Sequence, residues 1–126
     1  MQGTSINVLV NSAKTVVTGE RPLVFVGVDY PMEREDKEFL AKKKTFTEEA
    51  WQNVPKEAVV VLLAHHPEFI DNGAEKNIPL TLTGHTHGGQ IGLLGFSLLP
   101  VFKYTRGMIQ QDNSFGYVHV GNGSWF

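Results

Sequence analysis

Ala58-Val59-Val60-Val61-Leu62-Leu63-Ala64 is an unbroken apolar run that stops at His65-His66-Pro67. A run of that length without polar alternation predicts a strand buried on both faces, central in a sheet. Downstream, Pro79-Leu80-Thr81-Leu82-Thr83 predicts a second strand, and it leads straight into Gly84-His85-Thr86-His87-Gly88-Gly89-Gln90. Two strands that end in histidine are the informative pattern. In α/β sheets, ligands gather at the carboxyl ends of strands, where side chains from neighbouring strands converge. If the two strands are parallel neighbours, His65, His85 and His87 face one crevice.

The His-Thr-His spacing adds to this. In an extended segment, residues two apart project to the same side, so both rings reach a common metal ion or adjacent ions. Gly84, Gly88 and Gly89 allow backbone angles closed to other residues and leave room around the ions. Neutral imidazole suits zinc, manganese and iron. Two other histidines carry less weight. His66 is expected to point away from its neighbour's side of the strand. His119 shares a strand face with Phe115 and Tyr117, as core or as crevice wall.

Outward from this centre the chain reads as alternating strands and helices. Residues 6–10 and 15–18 are β-branched runs separated by Asn11-Ser12, and Leu23-Val24-Phe25-Val26-Gly27-Val28 predicts a buried strand closed by Asp29-Tyr30-Pro31. Residues 32–44 have helical composition. Thr45 with Glu48 three residues on matches a capping box, which predicts a second helix to about residue 54, ended by Pro55. A short helix or turn follows His65-His66-Pro67. Residues 91–101 are apolar but broken by Gly92, Gly95 and Pro100, which predicts a loop: a lipid-contacting flap or a core-packing segment. Residues 108–111 and 114–120, joined across Asp112-Asn113, predict a β-hairpin. With no repeat, low-complexity tract or linker, one domain is expected over residues 1–126.

Composition removes several function classes. The chain has 126 residues, 41% hydrophobic and 19% charged, as in an ordinary globular protein. Eleven basic and thirteen acidic residues leave a net charge of −2, without the basic stripe of a nucleic-acid binder. Lys42-Lys43-Lys44 is flanked by acidic residues and reads as a solvated helix face. The absence of cysteine excludes disulfides, thiolate zinc sites and cysteine nucleophiles. No apolar stretch approaches the ~20 residues of a membrane span, and residues 1–5 show no signal peptide. Ser97 and Ser124 lack a nucleophile-elbow context. A cupin-like site would want a glutamate shortly after the second histidine, where Ile91 and Gly92 stand. Lys103 and Arg106 offer a basic pair that could steady a substrate phosphate, though such an isolated pair is more often ordinary surface.

Leu62-Leu63-Ala64-His65-His66-Pro67, followed by Thr83-Gly84-His85-Thr86-His87-Gly88-Gly89-Gln90, resembles the final two metal motifs of the calcineurin-like metallophosphoesterases. The Gly-Gly-Gln ending is similar to a bacterial branch that includes UDP-diacylglucosamine pyrophosphatases and related membrane-associated phosphodiesterases. Residues 8–11 and 26–29, with Tyr104 and Gly107, extend the likeness over nearly the whole chain. The resemblance implies an α/β (α+β) fold, the carboxyl-terminal half of a two-sheet sandwich flanked by helices. It implies His65 and His85 on one metal of a dinuclear pair and His87 on the other. Manganese, zinc or iron ions would clamp a phosphoryl group and activate a water.

The family's earlier motifs (Asp-x-His, Gly-Asp-x-x-Asp and Gly-Asn-His) do not occur here. Without their bridging carboxylate two close cations would repel with little offset, so one ion or none is expected in this chain. The chain begins where the missing half would end, which predicts a part of a larger arrangement. The expected function is the metal-binding half of a phosphoesterase or phosphodiesterase, inactive alone. The alternative is a non-catalytic module that binds one transition metal or only self-associates. Expected partners are a phosphate ester or phosphodiester, lipid-linked in one version, and either a second copy or a complementing amino-terminal half. Whether the chain itself is an enzyme stays open at this stage. A cytoplasmic place, peripheral to the inner membrane in the lipid-linked version, follows from the same resemblance.

Overall fold

The β-branched run at 15–18 and the apolar run at 23–28 become strands, and the charged stretch after them becomes a helix. The computed structural model describes residues 6–18, 21–33, 35–89, 92–93, 96–97 and 102–122. Within them the order is β1 (Ser12–Thr18), β2 (Arg21–Val28), α1 (Asp36–Trp51), β3 (Val59–Ala64), α2 (Phe69–Glu75) and β4 (Leu80–Thr83). Then come β5 (Gly92–Leu93), β6 (Phe96–Ser97), β7 (Gly107–Gln111) and β8 (Ser114–Val118). Among the described residues a six-stranded sheet runs β1-β2-β3-β4-β8-β7, and β5 pairs with β6 separately. β2, β3, β4 and β8 are parallel in sequence, while β1 and β7 pair antiparallel at the two edges. The apolar run that opened the sequence reading is therefore central, flanked by β2 and β4.

Both helices lie on one face. Val24, Val26 and Val28 of β2, Val60 and Leu62 of β3, Ala50 of α1, and Phe69 of α2 form one buried cluster with Ile78. The registers Val24↔Val60, Val26↔Leu62, Leu62↔Thr81 and Thr83↔Val118 put the matching residues of all four parallel strands on that same face. α2 presses on the sheet where side chains are absent: a Cβ at Gly73 would stand 2.1 Å from Thr81 Oγ1, and one at Gly116 would stand 2.5 Å from Ile70 Cγ2. These two close approaches fix α2 against β4 and β8.

The other face is apolar and poorly covered. Phe25, Val61, Leu63 and Leu82 are only half-buried there, and Phe115 and Tyr117 are exposed. Leu9 covers part of it, lying where a Cβ at Gly27 would be. The result is the mixed α/β arrangement expected: one helix-backed sheet, consistent with a layer of a sandwich. No helix among the described residues is long and apolar enough to cross a membrane.

Two local expectations are corrected. Residues 32–54 do not form two helices split at Thr45. α1 runs through, and Thr45 donates its hydroxyl to the Ala41 carbonyl one turn back at 3.1 Å. A mid-helix threonine can satisfy its hydroxyl this way without capping anything. Residues 6–10 are not a strand: no described strand pairs with them, and Ile6, Val8 and Val10 are exposed. β-branched composition without a ladder partner leaves the backbone irregular. The 91–101 segment, expected as a loop, lies mostly outside the described residues; the described parts of it form the short β5–β6 pair.

Candidate metal centre

Because β3 and β4 run parallel in adjacent places, their ends lie side by side, and the pairing continues past the strands. The Gly84 N–H donates to the His65 carbonyl at 2.9 Å, and the His119 N–H donates to the Thr83 carbonyl at 2.8 Å. This brings His65 and His85 together. His65 Nε2 and His85 Nδ1 face each other at 3.0 Å, with the rings edge to face at 78°. His65 also stands at the rim of a recess of about 400 Å³ on the uncovered sheet face, lined by Leu9, Gly27, Leu63, Leu82 and Thr83 among others.

The glycine-rich turn does not stay extended, which corrects the alternate-residue argument. His85 (φ 71°), His87 (φ 48°), Gly88 (φ 72°) and Gly89 (φ 68°) all adopt left-handed backbone. A non-glycine residue there costs on the order of 1 kcal/mol or more and persists only where its surroundings enforce it. Thr86, buried between the two histidines, supplies that enforcement. Its N–H donates to the Gly84 carbonyl, its hydroxyl to the Thr105 carbonyl, and its own carbonyl and hydroxyl oxygens accept from Gly89 and Gly88. His87 lies within electrostatic reach of His85. Even so, no group of three or more His, Cys, Asp or Glu side chains able to hold a metal occurs among the described residues.

The donor pair fits part of an ion's shell. Two nitrogens bound at about 2.0–2.1 Å to one tetrahedral ion stand about 3.3 Å apart, close to the 3.0 Å observed. Protein zinc sites supply three or four such donors, so His65 and His85 make an incomplete set.

His66 is placed differently from expectation. It is buried, its ring stacks on Tyr30 at 4.7 Å, and it tilts against His85 at 4.8 Å. It therefore packs against His85, one member of the donor pair. Phe102 meets both rings edge-on, 5.5 Å from His66 and 5.2 Å from His85. The Glu68 N–H donates to His66 Nδ1 at 3.5 Å. Burial holds the His66 pKa below the ordinary histidine value; the Glu68 carboxylate opposes this, and His85, Lys43 and His65 reinforce it. The His85 pKa is also lowered, by burial first and then by His65 and His87. Both effects favour the neutral imidazole that a metal requires.

The remaining candidates sit outside the pair. His119 is exposed; its Nδ1 accepts the Gly121 N–H at 2.8 Å, and its ring lies 6.4 Å from Tyr117. Lys103 is committed to Asp71 at 2.9 Å, and its pKa is pushed up to about 12 by hydrogen bonds to Tyr104 and Asp71. Sequence reasoning missed Tyr30, which the strand-end rule could have found at the close of β2. It also missed Phe102, for which the sequence carries no signal.

No family model matches the chain, and no solved structure matches it. Two curated proteins do. One is named an uncharacterized metallophosphoesterase, from Aquifex aeolicus (strain VF5), 38% identical over 68 residues that cover 52% of this chain and 26% of that protein. The other is named uncharacterized metallophosphoesterase YkuE, from Bacillus subtilis (strain 168), 39% identical over 67 residues that cover 50% of this chain and 23% of that protein. The matched stretch spans about a quarter of each relative's length. Over half its length, then, this chain is similar to proteins named metallophosphoesterases, and that likeness supports the same family for it.

Proposed function

We propose that this chain is the carboxyl-terminal, metal-binding part of a metal-dependent phosphoric ester hydrolase, acting on a phosphate ester or phosphodiester together with an aspartate-rich partner region. The observation that carries the reading is the approach of His65 Nε2 to His85 Nδ1 at the ends of two adjacent parallel strands. The likeness to proteins named metallophosphoesterases supports the same direction. When bound, a divalent ion supplies Lewis-acid polarisation of a phosphoryl group. The chain's own residues contribute the two imidazoles, with the His66 and Phe102 rings packed against that of His85.

The uncovered apolar sheet face supports a second layer supplied by another polypeptide region. In this reading that layer covers Phe115 and Tyr117 and brings the missing carboxylate donors to the rim beside His65. His87 then serves a second ion that forms only in the completed site. The bacterial branch suggested by the Gly-Gly-Gln ending, a lipid-linked substrate and a place at the inner membrane belong to the same proposal.

The test is complementation. This chain is mixed with a separately expressed amino-terminal half carrying the aspartate motifs, manganese is added, and hydrolysis of bis-p-nitrophenyl phosphate is followed. Activity that needs both halves and disappears with His85→Ala is expected. A mixture that forms a stable complex, binds metal and stays inactive favours the alternative, a non-catalytic module that holds one ion. Metal analysis of the isolated chain is expected to give one ion or none.

A further inference from the structure

α2 carries a carboxylate that gathers three separate donors from a distant part of the chain. Asp71 Oδ1 accepts from Lys103 Nζ at 2.9 Å, Tyr104 OH at 2.8 Å and Gln111 Nε2 at 2.8 Å, and Oδ2 accepts from Lys103 Nζ at 3.0 Å. Residues 102–105 are thereby tied to α2 on one side. On the other side the Thr105 carbonyl takes the Thr86 hydroxyl, from inside the histidine turn. Phe102, at the head of this segment, sets its edge against His85 at 84° and against His66 at 70°. The helix that carries the anchor is closely packed, because Gly73 and Gly116 let α2 seat directly on Thr81 and on β8.

We propose that Asp71 is a positioning residue for His85, acting through residues 102–104 and the Phe102 ring. The proposal rests on the reading that His65 and His85 hold an ion, but its geometry does not. An imidazole rotates about its Cβ–Cγ bond unless something meets its faces. His66 lies against His85 at 4.8 Å and Phe102 at 5.2 Å. Removing the Asp71 anchor frees the segment that holds Phe102 in place. His85 then loses one of the ring contacts that keep Nδ1 aimed at His65. Partners that orient a ligand in this way typically change metal affinity by 10–100-fold when lost.

The test uses the whole chain in four forms: wild type, Asp71→Asn, Tyr104→Phe and, as a control on the same helix, Glu75→Gln. Nuclear Overhauser contacts between the Phe102 and His85 rings, with the His85 ring ¹⁵N shifts, report orientation without any metal. Zinc affinity is measured by competition with a chromophoric chelator. Asp71→Asn and Tyr104→Phe are expected to weaken the ring contact, move the His85 shifts and lower zinc affinity about tenfold, with Glu75→Gln unchanged in all three. Should Asp71→Asn fail to fold, Tyr104→Phe decides. Ring contacts and shifts that stay as in wild type in the folded variants overturn the proposal. If wild type binds no zinc while the ring contacts respond as expected, the positioning role stands and the pair needs further donors before it holds an ion.

Discussion

Gly116→Ala probes the packing that fixes α2, and hence the anchor beneath the candidate site. The added methyl would meet Ile70 Cγ2 at 2.5 Å, Cγ1 at 2.7 Å and Cδ1 at 2.8 Å. Ordinary carbon contacts lie at about 3.5–4.0 Å, so three atoms of one side chain overlap by roughly 1 Å. Ile70 is 3% exposed and has nowhere to rotate without displacing α2. Overpacking of this kind costs about 1–3 kcal/mol, while replacing a strand glycine returns about 0.5–1 kcal/mol of backbone entropy. The net expectation is a loss of up to about 2.5 kcal/mol, or up to roughly 10 °C in Tm for a chain of this length. Urea and thermal melts followed by circular dichroism measure it. The double variant Gly116→Ala/Ile70→Ala removes all three colliding atoms. Ile70→Ala alone costs about 2–5 kcal/mol through the cavity it leaves, and the new methyl at 116 partly fills that cavity. The double variant should therefore be at least as stable as Ile70→Ala alone. Strict additivity, or a stabilised Gly116→Ala, would refute the claim that close packing on β8 holds α2.

Three further expectations follow from other parts of the molecule. His66 and His85 titrate below the ordinary histidine value of 6.5 in the folded chain. Their neutral forms favour folding, so stability should be full above about pH 6.5 and fall as pH drops through the folded pKa values. His66→Leu should flatten that slope in urea midpoints taken between pH 5 and 7.5. Thr45→Ala should leave stability unchanged or raise it by up to about 0.7 kcal/mol, because alanine is the better helix former in a helix interior. A true cap would instead lose about 1 kcal/mol, so the sign of the change separates the two geometries. In zinc titrations, any zinc bound by the isolated chain should be lost with His85→Ala and His65→Ala, whereas His87→Ala should leave it unchanged. An equal loss for all three would mean that His87 shares the same ion.

The sheet was readable wherever burial dominated composition. The uniform apolar run before His65, the Leu-Thr alternation before His85 and the Asp112-Asn113 turn each carry a strong local signal, and each became the predicted element. What failed did so for want of information about neighbours. Residues 6–10 have strand composition, but a strand needs a partner ladder, and composition says nothing of whether one is there. Thr45 and Glu48 have capping-box spacing, yet the helix had already begun at Asp36, and a hydroxyl can bond backwards as easily as it can cap. The convergence of His65 and His85 followed from strand ends alone. The left-handed turn at His85 and His87 did not, since glycine content signals that a turn is possible without giving its hand at each residue. Asp71 with Lys103, Tyr104 and Gln111 was invisible because its partners stand 32 to 40 residues apart in sequence.

The place of β8 between β4 and β7 has a consequence for synthesis. β4 emerges from the ribosome some thirty residues before the strand that will lie beside it. During that interval its outer edge, bearing the histidine turn, has unsatisfied backbone donors and acceptors, the kind of surface that invites unwanted pairing between nascent chains. The β7–β8 hairpin closes the edge and, with the segment before it, brings the Gln111 and Tyr104 side chains to α2. Yield of well-folded material should therefore respond more to changes in the hairpin turn at Asp112-Asn113 than to equally exposed changes in α1.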